Sequence, residues 1–305
     1  MVHSASKDGA ADHPGIPVRP GGRGDGVAEP HTLGVRRPGQ FAIGELLRVH
    51  AGERPRSWWA RLFGASPVGV EVEPWLEAVT GELLIGTLLS GLGDEWAVFH
   101  SIPMGPLAGP PVGARGGDLD HLVIGPAGCF TITVRNHPGL DIAVSGRTVL
   151  VAGVKVSHVR DAEHDVGRAE RLLGAALDES LAVTGILVFA EPKALTSRQI
   201  PRDLEVLSSS ELLPWLAARP EVFDAAQVER IVAVAELPET WGSTAPDADD
   251  GASARREFDV LRRAVDRSRM LRQLWFGVVT FLAIVTATAI ATLAIVNLAP
   301  GGQTH

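Results

Sequence analysis

The chain holds one cysteine and no tyrosine, and only three lysines beside 25 arginines. A single thiol, Cys129, excludes an intramolecular disulfide framework and a thiolate zinc cluster. It is compatible with a reducing compartment. The missing tyrosine and the excess of arginine over lysine read as genomic base composition rather than as function. No Gly-x-Gly-x-x-Gly follows a strand pattern and no Walker loop is present, so neither phosphate-cradling motif has a foothold. The surroundings of Ser209 lack a nucleophile elbow. The N-terminus lacks the apolar stretch of a secretory signal. Positive charge is scarce where a nucleic-acid binder needs it: residues 71–240 carry 12 Lys and Arg against 24 Asp and Glu, a net −12 within a chain of −8. A phosphate backbone is neutralised by a basic face, and this balance argues against one.

A long run that is both uncharged and continuously apolar is absent until the C-terminus, where residues 274–298 form 25 consecutive residues without a charge. About 20 apolar residues cross a bilayer, so this segment is expected to be a transmembrane helix. Its threonines are tolerable because their hydroxyls can bond carbonyls within the helix, and Trp275 sits where an interfacial aromatic belongs. Residues 255–273 read as a basic juxtamembrane helix, with seven arginines against three acids, and residues 299–305 as a short extracytoplasmic tail without Lys or Arg. The positive-inside rule then places the large N-terminal part in the cytoplasm of a single-pass, C-terminally anchored protein.

Upstream, residues 1–38 are rich in Gly, Pro, His and Asp without a hydrophobic period, the pattern of a disordered arm. Residues 40–66 form an amphipathic, helical lead-in. Within it Trp58, Trp59, Leu62 and Phe63 alternate with Arg54, Arg56 and Arg61. Such a piece either lies on an anionic membrane surface or packs on the domain as a short helix. Residues 70–238 form the main domain and 239–254 a polar linker. In the domain, Trp75, Val79, Leu83 and Gly86 recur at helical spacing. A β-meander is expected over residues 96–152, with a Gly/Pro-rich loop over 103–117. Further elements are a helix over 158–177, a buried strand over 183–190, a short strand over 204–208, and helices over 211–218 and 225–237. The fold class is α/β (α+β): a mixed sheet flanked by helices, plus one transmembrane helix.

The most informative stretch is Gly117-Asp-Leu-Asp-His-Leu-Val-Ile-Gly-Pro-Ala-Gly-Cys-Phe-Thr-Ile-Thr-Val-Arg-Asn136. It reads as two strands, 119–124 and 129–134, joined by the turn residues Gly125-Pro-Ala-Gly128. A hairpin sets the start of the first strand beside the end of the second, so Asp120 faces Thr133 and Arg135. Alternation puts Asp118 on the face of Asp120 and His121 on the opposite face, where it reads as a structural, hydrogen-bonding histidine. His137, between Asn136 and Pro138, begins a loop and is at most a ligand for a softer metal.

Glu82 after Gly81, the strand Trp96-Ala-Val-Phe-His100, the run Asp118-x-Asp-His-Leu-Val-Ile-Gly-Pro-x-Gly128 and a strand ending Arg135-Asn136 together resemble the nuclease-related domain family, NERD, with a PD-(D/E)xK nuclease-like core. The likeness covers roughly residues 75–190. It implies a site in which Asp120, Asp118 and Glu82 hold Mg²⁺ or Mn²⁺, with the metal activating water against a phosphodiester. The family's second strand commonly ends Glu-x-Lys; here those positions are Thr133 and Arg135. Threonine is a neutral, poor ligand, and arginine can clamp a phosphate but hardly ever gives up its proton. Arg135 therefore either grips a phosphate or pairs with Asp120 in place of the metal charge. Two readings stay open. One is a membrane-anchored binding module for nucleic acid or a partner protein with a degenerate metal site. The other is an active Mg-dependent nuclease on DNA or RNA, using Glu82, Asp118, Asp120 and Arg135.

Overall fold

A computed structural model describes residues 32–53, 56–104, 118–242 and 248–298. Most of the N-terminal arm, the loop over 105–117 and the tail 299–305 lie outside the described residues. Three helices lead in: α1 (Gln40–Ala51), α2 (Trp58–Leu62) and α3 (Glu73–Leu89). Then come β1 (Ala97–Pro103), β2 (Asp118–Gly125), β3 (Gly128–Asn136), β4 (Asp141–Ser145), β5 (Thr148–Val151) and β6 (Val154–Val156). The chain continues through α4 (His158–Leu177), β7 (Val183–Ala190), β8 (Ala194–Arg198), β9 (Leu204–Ser208), α5 (Leu212–Ala217), α6 (Ala225–Ala235) and α7 (Ala248–Leu298).

The main sheet runs β1-β2-β3-β7-β9, antiparallel through β3 and parallel from β3 to β9. Strand residues alternate between two cores, as the pleat requires. Leu122, Ile124 and Cys129 pack with Val166, Ala169 and Leu173 of α4 and Ile231 of α6. Val123, Phe130, Ile132 and Val134 pack with Ile85 and Leu89 of α3 and Leu212 and Leu216 of α5. Helices thus cover both faces, which is why β7 reads as a continuous apolar run. Each Val, Leu, Ile or Phe side chain removed from water contributes about 1.5–3 kcal/mol. Where one meander was expected, β4, β5 and β6 leave the main sheet. They form a second one, β6-β5-β4-β8, closed by a parallel β4–β8 pair that sequence patterning did not predict.

Two segments expected to be unstructured are packed. Leu33 is buried in the main core and its N–H donates to the Glu236 carbonyl at 2.9 Å, so the arm is docked before residue 38. Trp241, within the expected linker, is fully buried and its indole N–H donates to the Ala235 carbonyl at 2.9 Å. The juxtamembrane and apolar segments are one helix, α7. Phe258, Leu261 and Val265 pack there with Ala42, Ile43 and Leu46 of α1 and Val72, Leu76 and Val79. Spacings of three and four residues put those three on one stripe of α7. Beyond it, α7 has a window of mean hydropathy 2.2 with none of its residues buried, long and apolar enough to cross a membrane. Thr286, Thr288 and Thr292 hydroxyls donate to carbonyls one turn back, at 2.8, 3.0 and 2.8 Å.

Helix α3 touches β3 most closely at Gly81, where an added Cβ would lie 2.9 Å from Asn136 Cβ and 3.1 Å from a Val134 methyl. Asn136 Nδ2 donates to the Glu77 carbonyl at 2.9 Å and ties the same two elements together. Only the missing side chain lets α3 sit this deep, and the next residue, Glu82, is carried to the strand ends by it. Gly81→Val is therefore expected to lower stability by about 1–3 kcal/mol through overpacking, read from urea unfolding of the full chain in detergent; an unchanged midpoint would refute the close approach.

Candidate functional site

The β2–β3 register runs from Gly125 opposite Gly128 to His121 opposite Ile132. One step further on, the Asp120 carboxylate accepts the Val134 N–H at 2.7 Å, with the side chain serving in place of a ladder carbonyl. Asp120 thereby lies across from Thr133, the neighbourhood expected from the hairpin. Around this point a cavity of about 50 Å³ is lined by Glu82, Asp118, Asp120, Thr133, Arg135 and Asp165, among others. All four expected site residues and Asp118 therefore meet at one place. A water needs roughly 10–15 Å³ of such space. The cavity has room for a few waters and is far too small to enclose a nucleotide.

Arg135 is held on every edge. Its Nη1 lies 3.7 Å from Asp120 Oδ2 and its Nη2 3.5 Å from Asp161 Oδ2. Nη1 also donates to the Val134 carbonyl at 2.8 Å, and Nε to His158 Nδ1 at 3.2 Å. His158 Nε2 in turn lies 3.0 Å from His137 Nε2, so the loop histidine serves to orient its neighbour. The Thr133 hydroxyl donates to Asp165 Oδ2 at 3.2 Å. Asp118 Oδ2 lies 3.6 Å from Arg36 Nη2. His121 is fully buried and its Nδ1 lies 2.8 Å from His100 Nδ1. Burial holds both rings below their ordinary range, to about 4 for His100, so the pair is neutral and structural. Burial also pushes the Cys129 thiol up to about 12, which makes it inert.

Burial, reinforced by the charge of Asp120, pushes both Asp118 and Asp165 up to about 7; Arg36 opposes the shift at Asp118, and Arg135 and Arg168 at Asp165. A hard divalent cation needs several oxygen donors converging on one point. Among the described residues no three His, Cys, Asp or Glu side chains gather in that way. Asp120 is engaged by a backbone amide and a guanidinium, and Asp118 faces a second guanidinium. As arranged, this donor set does not fit a divalent cation.

Sequence reasoning missed half of the constellation. Asp161, Asp165 and Arg168 lie four and three residues apart on α4, a spacing that puts them on one helix face. That periodicity was the available signal. Nothing local in the sequence marks Arg36, which reaches the site from the end of the arm, or Phe41, which reaches it from the lead-in.

The family model of the nuclease-related domain, NERD, matches residues 78–190. The match spans β1 through β7, and the mixed sheets flanked by helices are those of a nuclease-like fold. No curated protein and no solved structure matches the chain.

A carboxyl that binds its proton more tightly in the folded than in the unfolded chain stabilises the fold below its unfolded value, here 3.8, and loses that contribution as pH rises through about 7. For Asp165 the loss between pH 5 and pH 8 is about 2–3 kcal/mol, since each tenfold gain in proton affinity is worth about 1.4 kcal/mol. The full chain is expected to melt lower at pH 8 than at pH 5, and Asp165→Asn to flatten that slope. Equal slopes in thermal melts of the two would remove the buried carboxyl as the cause.

Proposed function

We propose that the chain is a membrane-anchored nuclease-related domain, facing the cytoplasm, that works as a binding module and no longer cleaves phosphodiesters. The observation that carries this reading is the Arg135 guanidinium, within 3.7 Å of Asp120 and 3.5 Å of Asp161. A fixed cation stands beside Asp120, one of the three carboxylates that the family likeness assigns to Mg²⁺ or Mn²⁺. It cannot supply an activated water, and an arginine does not serve as a base.

Thr133 points the same way, because its hydroxyl is committed to Asp165 where the family commonly has a glutamate ligand. The net −12 of residues 71–240 disfavours a nucleic-acid backbone as the bound species and favours a partner protein. The arginine-rich stretch 255–272 ahead of the apolar part of α7 supports a cytoplasmic domain. The active-nuclease reading keeps one observation in its favour, the meeting of Glu82, Asp118 and Asp120 around one cavity.

The deciding experiment incubates the full chain in detergent with single- and double-stranded DNA and RNA and Mg²⁺ or Mn²⁺, beside Asp120→Ala and Thr133→Glu/Arg135→Lys. No cleavage by the natural chain, with cleavage gained by the double variant, is the expected result. Cleavage by the natural chain that vanishes in Asp120→Ala would overturn the proposal in favour of a metal-dependent nuclease.

A further inference from the structure

Helix α2 buries none of its residues. Trp58, Trp59, Leu62 and Phe63 are 61, 54, 45 and 51% exposed, so four large apolar side chains within six residues face outward together. The rings form a stack, with centroids 3.6 Å apart from Trp58 to Trp59 and 6.4 Å from Trp59 to Phe63. The short helix therefore does not use its aromatic face to pack on the domain.

Its position is fixed by α7. The Trp275 indole N–H donates to the Leu62 carbonyl at 2.9 Å, and the Phe63 ring lies 5.1 Å from that of Trp275. Gly64, with φ of +72°, brings the backbone directly onto α7. A Cβ there would lie 2.7 Å from both Ser268 O and Arg272 N. The Arg56 guanidinium closes the turn on the Ala65 carbonyl. Trp275 is the second residue of the uncharged run, so α2 is pinned at the level where the apolar part of α7 begins. Beside it, between residues 66–76 and α7, lies a cleft of about 690 Å³. Val70, Leu76 and Phe276 give it apolar walls, Arg269 and Arg272 two guanidiniums, and Glu73 an acid.

We infer that α2 and this cleft form a collar seated in the headgroup layer of an anionic bilayer, with the Trp58–Phe63 aromatics in the interface and Arg269 and Arg272 on a phospholipid phosphate. The inference rests on reading the apolar part of α7 as a span. Tryptophan favours the headgroup level, where its ring is apolar and its N–H can find a partner. Guanidinium binds phosphate bidentately. Arg56 and Arg61, next to the aromatics, add charge of the sign an anionic leaflet attracts, while Glu53 on the same side is held by the Gly69 N–H at 2.7 Å and His50 at 2.9 Å. The collar fixes how close the domain stands to the lipid, which a span alone does not.

The test reconstitutes the full chain in phosphatidylcholine vesicles, with and without phosphatidylglycerol, using lipids brominated near the headgroup end of the acyl chain. Tryptophan emission is compared for the natural chain, Trp58→Phe/Trp59→Phe and Trp275→Phe, so that each difference reports one site. Shallow bromines are expected to quench both the Trp58/Trp59 and the Trp275 components. Quenching of Trp275 alone would overturn the collar and leave the span standing; quenching of neither would remove the span and the collar with it. In a second measurement, spin-labelled phosphatidylglycerol is expected to be preferred over phosphatidylcholine by about fivefold or more, with the preference lost in Arg269→Ala/Arg272→Ala. A preference unchanged by that double substitution would overturn the phosphate contact.

Discussion

Carboxylates cannot be gathered in a dry place without cations beside them, and this constraint organises the molecule around Asp118, Asp120 and Asp165. Three arginines answer it from three parts of the chain. Arg135 comes from the end of β3, Arg168 from α4, and Arg36 from the segment that precedes α1. The balance is incomplete: two of the acids still bind protons near neutrality, because the cost of desolvation exceeds what the nearby guanidiniums return. The site is thus a closed ionic network with room for only a few waters.

That network makes residues outside the family match part of the same structure. Arg36 approaches Asp118, Phe41 and Ala42 line the cavity, and α1 is held in turn by Phe258, Leu261 and Val265 of α7. Leu33 and Trp241 complete the main core from the two ends of the domain. The described fold is therefore not a nuclease-like sheet with appendages. Helix α1 supplies part of the cavity wall, and the first third of α7 packs behind it.

Much of this was legible in the residues and some was not, for physical reasons. The β2–β3 hairpin could be read because Gly125-Pro-Ala-Gly128 dictates a turn, and a turn fixes register; the approach of Asp120 to Arg135 follows from that alone. Strand β7 and helix α4 announced themselves by period. Strands β6 and β8 did not, being short and mostly exposed, so no alternation marks them. Leu33 and Trp241 belong to no helical or strand period, and burial of such a residue is decided by distant partners. Arg36 is the clearest case: no local pattern can tell which of 25 arginines will face a carboxylate some 80 positions away in the chain.

Helix α7 runs unbroken from Ala248 to Leu298, about 75 Å at 1.5 Å per residue. Between its contacts with α1 and its apolar run the described helix has no proline to serve as a joint. A shaft of this kind has no slack. A tilt imposed on the lower part swings the domain through the same angle, and a turn about the axis changes its compass heading by the same amount. Two copies whose apolar segments lay side by side would hold their cavities at equal height and at a heading set by which stripe of α7 met its neighbour, so geometry in the lipid plane would dictate geometry above it.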